Sequence, residues 1–263
     1  MPSFQHNGNA IHFADEGPRD GLPMVFSNSL GTDFRAWEPL LPHLPKGLRI
    51  VRYDKAGHGL SDFAGDRTIE AHAEDVAALL DHVGIERAVV VGLSVGGLIA
   101  QAFANANPGR TMGLALCDTG HKIGTPEIWN PRIEAINVGG MNAVLEPTME
   151  RWFTPRYRAE SPDFPIWCNM LTRTMAEGYC AVARAIRDAD FTVQTRGIKA
   201  PTVCVVGAQD GATPPALVQE LADLIEGAKF VQIEDCGHLP CIEQPEALAT
   251  AIEGLLVENG LGV

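Results

Sequence analysis

Three residues of the types that together activate a hydroxyl nucleophile occur at glycine-rich points of the chain. Ser94 stands between Gly92 and Gly96, and Asp210 and His238 follow much later in the sequence. A serine hydroxyl is a weak nucleophile at neutral pH, so it needs a general base, and that base needs an acid to orient it. Serine, aspartate and histidine in this chain order therefore predict a catalytic triad.

The surroundings of Ser94 favour a sharp turn between a strand and a helix. The preceding run Ala88–Val91 is apolar and rich in valine, and a helical pattern begins at Val95. Such a turn strains the serine backbone, so the positions two residues away on either side must lack side chains. The alternative is a glycine-rich turn that cradles phosphate, but the pattern lacks the fingerprints of nucleotide sites. We predict that Ser94 is the nucleophile.

The base and the acid are predicted from their positions after strands. His238 follows the last apolar run, and Asp210 follows the run before it, so both should lie at the same carboxyl edge as Ser94. Asp118 is a rival acid, because it ends the run Leu114–Cys117 and could also approach the imidazole ring.

Attack on a carbonyl group creates an oxyanion, which needs two preorganised donors. We expect them to be the backbone N–H groups of Val95, next to the nucleophile, and of Leu30, in the loop 27–31. We expect Asn28 and Ser29 to shape that loop through side-chain hydrogen bonds.

Short apolar runs alternate with helical patterns along most of the chain. This alternation predicts an α/β fold with a mostly parallel sheet of eight strands and helices on both faces. Residues 125–196 break the rhythm, since they contain three of the four tryptophans and no clean buried strand. We predict that residues 1–124 and 197–263 form the core and that residues 125–196 form a helical lid inserted into it. The alternative is a set of ordinary connecting helices.

Composition excludes several classes of function. The chain has 263 residues with a net charge of −13, and such a surface repels nucleic acid and anionic lipid. We expect a small-molecule partner, no nucleic acid and no membrane.

The first residues show no signal-peptide pattern and the six cysteines are widely spaced, so we predict a cytoplasmic protein with reduced thiols.

These motifs together resemble the α/β-hydrolase superfamily, and most of all its 3-oxoadipate enol-lactonases. The stretches that carry the resemblance are 26–33 with Trp37 following, 53–62, 92–97, 178–179 with 185–190, 209–215 and the loop of His238. The run 28–33 is fairly specific, because most other relatives carry His-Gly there. The chain departs from the pattern at Ala56, where relatives commonly have arginine. From the residues alone we expect the turn 53–62 to be structural, with His58 locking backbone.

The resemblance implies a fold, a reaction and a substrate. The fold would be the α/β-hydrolase fold, and the reaction would be the opening of 3-oxoadipate enol-lactone to 3-oxoadipate through an acyl-enzyme, in aromatic catabolism. It implies no metal and no organic cofactor. The alternatives are a carboxylesterase or another lactonase on the same fold and, in a different class, a receptor that binds a small ligand without turnover.

An enol-lactone of this kind carries a carboxylate, which needs a cationic partner. The predicted lid and the residues just before it offer candidates between which the sequence does not choose. They are Arg132, Arg151, Arg173 and Arg187 in the lid and Lys122 just before it. We predict substrate contacts for Arg132 and for an apolar wall formed by Trp129 and Trp152. The oligomeric state is left open.

Overall fold

A computed structural model of the chain describes residues 2–63 and 65–262. Its centre is a sheet of eight strands in the order β1-β2-β4-β3-β5-β6-β7-β8. The strands are β1 (Ser3–His6), β2 (Asn9–Glu16), β3 (Leu22–Ser27), β4 (Leu48–Tyr53), β5 (Ala88–Leu93), β6 (Thr111–Cys117), β7 (Thr202–Gly207) and β8 (Lys229–Ile233). Only the β1–β2 and β2–β4 pairs are antiparallel. The predicted mostly parallel α/β sheet is confirmed.

The central strands are apolar because helices cover them. Every residue of β5 and β7 is buried, which explains why these strands read as continuous apolar runs rather than as alternating ones. The helices outside the segment between β6 and β7 are α1 (Ile69–His82), α2 (Val95–Ala106), α9 (Pro215–Leu224), α10 (Pro240–Glu243) and α11 (Pro245–Glu258). Helix α2 packs on β3, β5 and β6, and α11 packs on β6, β7 and β8.

Local sequence signals set where the long helices begin. The Thr68 side chain accepts a hydrogen bond from the N–H of Ala71 and caps α1. Helices α9 and α11 each start with proline, whose missing N–H costs nothing in the first turn.

The segment between β6 and β7 is helical. It contains α3 (Pro126–Gly139), α4 (Leu145–Trp152), α5 (Pro155–Glu160), α6 (Phe164–Thr172), α7 (Ala176–Asp188) and α8 (Thr192–Thr195). Helices α3 and α7 pack against each other. Within residues 2–63 and 65–262, no helix is both long and apolar enough to cross a membrane.

Candidate active site

Ser94 occupies the turn between β5 and α2 in a strained conformation, with φ 58° and ψ −119°. Two hydrogen bonds hold it there: its N–H donates to the Cys117 carbonyl at 2.9 Å, and the Thr119 hydroxyl donates to its carbonyl at 2.7 Å. A Cβ atom at Gly96 would collide with the carbonyl of Ser27. Glycine is therefore obligatory for the close approach of α2 to the end of β3, and the tight turn presents the serine at the carboxyl edge of the sheet.

His238 and Asp210 meet at this same edge. The Nδ1 atom of His238 lies 2.9 Å from Oδ2 of Asp210, and both side chains are buried. Burial raises the pKa of Asp210, but the charge and hydrogen bond of His238, together with donors from Thr213, hold that pKa below its ordinary value. Asp210 is therefore ionised at neutral pH. With Nδ1 engaged, Nε2 is the ring nitrogen left to take a proton from a hydroxyl group.

The rival acid, Asp118, lies beside this pair but has a different environment. One ligand atom from each of Asp118, Asp210 and His238 lies within 4.8 Å of the other two. Asp118 accepts a hydrogen bond at Oδ1 from the N–H of Gly207 at 2.9 Å, whereas its buried Oδ2 has no partner among the described residues. Complete burial and the charge of Asp210 raise the pKa of Asp118 well above its ordinary value. Burial and the neighbouring charge therefore favour the protonated form of Asp118, which makes Asp210 the better partner for an imidazolium ion.

The two expected oxyanion donors are free to bind a ligand atom. Across residues 2–63 and 65–262, neither the N–H of Leu30 nor that of Val95 donates a hydrogen bond to the protein. Leu30 lies in a tight turn in which the N–H of Thr32 donates to the Ser29 carbonyl at 3.3 Å. Gly31, at the third position of this turn, has φ 78°, which is the conformation that favours glycine there.

The conformation of the loop that carries Leu30 is held partly by the expected side chain of Asn28 and partly by backbone groups and His58. The Asn28 side chain donates to the hydroxyl of Thr32 at 3.1 Å, as predicted. Ser29 contributes through its carbonyl, which also accepts from the hydroxyl of Thr32 at 2.9 Å. His58 locks backbone as predicted, but the backbone is that of this loop: its Nε2 accepts from the N–H of Gly31 at 3.0 Å.

Lys55 also supports this loop, and nothing in the sequence indicated that it would. Its ammonium donates to the carbonyls of Ser29 at 2.6 Å and Thr32 at 3.3 Å, and the residue is only 1% exposed. Burial, and secondarily the charge of Lys55, hold the pKa of His58 well below its ordinary value. His58 is therefore neutral, as an imidazole that accepts from Gly31 must be.

The predicted apolar wall is buried and tied to the catalytic loops. Trp129 and Trp152 are both buried, and the indole N–H of Trp129 donates to the Ile123 carbonyl at 2.8 Å. The carbonyl of Trp152 accepts from the N–H of His238 at 2.8 Å. Trp152 thus helps to position the loop of the base through its backbone.

Arg132 and Arg151 differ from the other cations of this segment. Lys122 pairs with Asp190, Arg187 pairs with Asp188, and Arg173 is exposed. Arg132 and Arg151 are half-buried, and within the described part of the chain neither forms an ion pair with a carboxylate. Burial, and next to it the charge of Arg132, lower the pKa of Arg151.

Contacts connect each of the two arginines to a loop that carries a predicted site residue. The guanidinium of Arg132 lies 5.6 Å from the centre of the Tyr179 ring, and that ring packs against Gly31. Arg151 packs its Cα, Cβ and Cγ atoms against Gly211, which follows Asp210. Arg132 is therefore linked to the oxyanion loop and Arg151 to the loop of the acid.

Comparison with known proteins agrees with this architecture. Residues 24–251 match the alpha/beta hydrolase family. The chain belongs to the alpha/beta hydrolase family. This confirms the predicted fold and the prediction that the chain is an enzyme of the hydrolase class.

Relatives of this α/β hydrolase include enol-lactonases. The chain is 32% identical over 249 residues to 3-oxoadipate enol-lactonase 2 of Acinetobacter baylyi, which covers 94% of this chain and 93% of the relative. The crystal structure of the enol-lactonase from Burkholderia xenovorans matches with a TM-score of 0.94 at 36% identity, over 97% of this chain and 100% of that one. The predicted resemblance to 3-oxoadipate enol-lactonases is therefore confirmed.

A third relative of the α/β hydrolase carries a bound dicarboxylate. It is a thermophilic esterase from Thermogutta terrifontis, solved with malate bound. It matches with a TM-score of 0.89 at 30% identity, over 98% of this chain and 97% of that one.

Proposed function

We propose that this α/β hydrolase opens the ring of 3-oxoadipate enol-lactone, or of a close carboxylate-bearing lactone, through an acyl-enzyme. The strained Ser94 and the buried His238–Asp210 pair support the hydrolytic part of the proposal. Arg132 and Arg151, which have no carboxylate partner among the described residues, carry the choice of an anionic substrate. The similarity to enol-lactonases supports the same choice. A role in aromatic catabolism in the cytoplasm is part of the proposal.

The proposed reaction begins with attack of the Ser94 hydroxyl oxygen on the lactone carbonyl, while Nε2 of His238 takes the hydroxyl proton. The oxyanion is bound by the N–H groups of Leu30 and Val95. The tetrahedral intermediate then expels the ring oxygen, and the C–O bond breaks. The leaving group is an enolate, which takes the proton from Nε2 of His238 and becomes a ketone, so that the imidazole is neutral again. The enolate is a better leaving group than a simple alkoxide.

Deacylation follows the same route with water as the nucleophile. His238 takes a proton from water, hydroxide adds to the acyl carbonyl, and the Ser94–acyl bond breaks as the serine regains its proton. The product leaves with two carboxylates, one from the substrate and one from the opened ring. The ionised Asp210 stabilises the imidazolium ion at each step.

The two arginines resolve a conflict of charge. A protein with a net charge of −13 repels an anion at long range, so a carboxylate substrate needs local cations. A half-buried guanidinium without a carboxylate partner is costly, and a substrate carboxylate supplies the missing partner in a bidentate geometry. The presence of malate, a dicarboxylate, in the structure of the esterase relative is consistent with this proposal.

We further propose that residues 125–196 act as the lid over the triad. Tyr179 of α7 packs against Gly31, and Trp152 of α4 is hydrogen-bonded to the backbone of His238. Both loops that carry the chemistry are therefore in contact with this helical segment.

The test compares two substrates on the wild-type enzyme and on Ser94→Ala. We expect the enol-lactone to be turned over with a kcat/KM at least about a hundredfold above that of p-nitrophenyl acetate, and Ser94→Ala to remove both activities. A preference for the neutral aryl ester would support a general carboxylesterase instead. Binding of the lactone without turnover by the wild type would support a receptor.

A further inference from the structure

Lys55 is a buried amine in a loop that has no evident need for one. It is 1% exposed and is the second residue after β4. Burying an ammonium ion is unfavourable unless hydrogen bonds compensate for the lost water. Both of the hydrogen bonds of Lys55 go to backbone carbonyls of the turn Ser29–Thr32, and the shorter one reaches Ser29.

The carbonyl of Ser29 and the N–H of Leu30 belong to the same peptide unit. A trans peptide is planar, so its C=O and N–H bonds point in opposite directions. No cis peptide occurs within the described residues. A donor bound at the Ser29 carbonyl therefore fixes the direction in which the N–H of Leu30 points.

The charge of the donor adds a second effect. An ammonium ion at a carbonyl oxygen withdraws electron density from the peptide nitrogen and makes the N–H group a stronger donor. The other donors to the Ser29 carbonyl, the N–H and the hydroxyl of Thr32, are neutral. Lys55 is thus the charged contributor to the polarity of this peptide.

We propose that Lys55 is a positioning residue that orients and polarises the Ser29–Leu30 peptide, so that the Leu30 N–H binds the oxyanion of the transition state. The inference rests on the proposed function, because it assumes that Ser94 attacks a carbonyl beneath Leu30. In this role the ammonium ion of Lys55 contacts the Ser29 carbonyl, at the end of the peptide unit opposite to the Leu30 N–H. It does not touch the substrate.

The effect of Lys55 on the Ser29–Leu30 peptide should depend on pH. Burial lowers the pKa of Lys55 to about 7, although the charges of Asp54 and Asp33 oppose the shift. The other titratable groups that sense its charge are His58 and His72. The ammonium form exists below the pKa, so the polarisation is present at pH 6 and is lost as the pH rises towards 8.

The test is Lys55→Met, which keeps the length of the side chain and removes the ammonium ion. Lys46→Met is the matched control, since Lys46 is exposed and lies outside the oxyanion loop. Two rates are measured from pH 5.5 to 9: hydrolysis of p-nitrophenyl acetate, and release of p-nitrophenol as diethyl p-nitrophenyl phosphate phosphorylates the serine. The second rate requires no turnover. Thermal unfolding is followed in parallel.

For Lys55→Met we expect kcat and the phosphorylation rate to fall about tenfold at pH 6.5, with KM changed less than twofold. Deletion of an oxyanion donor costs roughly a hundredfold or more, and here the donor remains but is weakened. The fall in wild-type kcat above pH 7 should be absent from the variant. The melting temperature should stay equal or rise, because a buried charge has been replaced by an apolar side chain. A role confined to stability would lower it.

Two outcomes separate failure of this inference from failure of the proposed function. If Ser94→Ala is inactive but Lys55→Met keeps a wild-type kcat and pH profile, only the role of Lys55 is wrong. If Ser94→Ala retains activity, the triad is wrong and the role of Lys55 is wrong with it. Equal losses in Lys55→Met and Lys46→Met would also overturn the inference, because they would reflect net charge alone.

Discussion

Asp118 and Asp210 bring carboxyl oxygens within 4.8 Å of each other in fully buried surroundings, at the ends of neighbouring strands. Two carboxylates this close do not both ionise, because each raises the pKa of the other. The hydrogen bond from His238 favours ionisation of Asp210, whereas burial and the charge of Asp210 favour the protonated form of Asp118. The two buried acids are therefore expected to play different roles.

This division of roles predicts opposite outcomes for two amide substitutions. Asp210→Asn should lower kcat by about 10³- to 10⁴-fold, since the imidazolium ion loses its counter-charge and the ring loses its correct tautomer. Asp118→Asn should keep kcat within about threefold, because an amide oxygen still accepts from the N–H of Gly207. Steady-state kinetics of the two purified variants provide the comparison. A loss in Asp118→Asn as large as that in Asp210→Asn would make Asp118 the acid of the triad.

Asp118→Asn also has a predicted effect on the pH dependence of stability. The pKa of Asp118 is raised in the folded state, so its contribution to stability is complete below its unfolded pKa of about 4 and is lost as the pH rises through the folded pKa. The amide does not titrate. The free energy of unfolding from urea denaturation should therefore decline less between pH 5 and pH 8 in the variant than in the wild type. An equal decline would mean that Asp118 is ionised in the folded protein.

The sequence was sufficient to predict the sheet and to predict that Ser94, Asp210 and His238 follow the ends of parallel strands, because sterics and strand order constrain both. Their catalytic roles stay a prediction. Only glycine fits at Gly96, and parallel strands bring their carboxyl ends to one edge. The supporting groups were not predictable. Nothing in the sequence indicates that Lys55 is buried or that its partners are carbonyls. Likewise, the sequence does not show which cations have a carboxylate partner, because that depends on which acids lie nearby in the folded protein. Lys122 and Arg187 have such a partner, whereas Arg132 and Arg151 have none among the described residues.

Arg132 and Arg151 are predicted to affect the binding of anionic substrates alone. Arg132→Met and Arg151→Met should each raise KM for the carboxylate-bearing lactone about tenfold or more, since one tenfold step corresponds to about 1.4 kcal/mol of a charge-assisted hydrogen bond. KM for neutral p-nitrophenyl acetate should change less than threefold. Arg173→Met, which removes an exposed charge from the same segment, is the control. A similar rise in KM for both substrates would refute an anion subsite and indicate general disruption of the pocket.

Glu243 is predicted to join the lid to the loop of the base. Its carboxylate accepts from the N–H of Gly237 at 3.0 Å and from the N–H of Thr154 at 3.1 Å, and also from the Thr154 hydroxyl. Glu243→Ala leaves these donors without a partner, so the free energy of unfolding should fall by about 1–3 kcal/mol and kcat should fall with it. Glu246→Ala, which removes a carboxylate with an 84% exposed side chain, should change neither. Chemical denaturation and kcat on the same samples test this, and an unaltered Glu243→Ala protein would show that the bridge is dispensable.

The final prediction concerns the turn that carries the nucleophile. A methyl group at Gly96 would meet the carbonyl of Ser27, which lies on a central strand and has little freedom to move. Gly96→Ala should therefore destabilise the protein by about 2–4 kcal/mol and displace Ser94 enough to remove most of the activity. Gly254→Ala is the matched control, because Gly254 lies inside α11 with nothing within 4 Å of its missing Cβ. Alanine there should add about 0.5–1 kcal/mol of stability and leave kcat unchanged. Equal melting temperatures and activities in the two variants would show that α2 can move away from β3, and that the close approach at Gly96 does not hold the nucleophile in place.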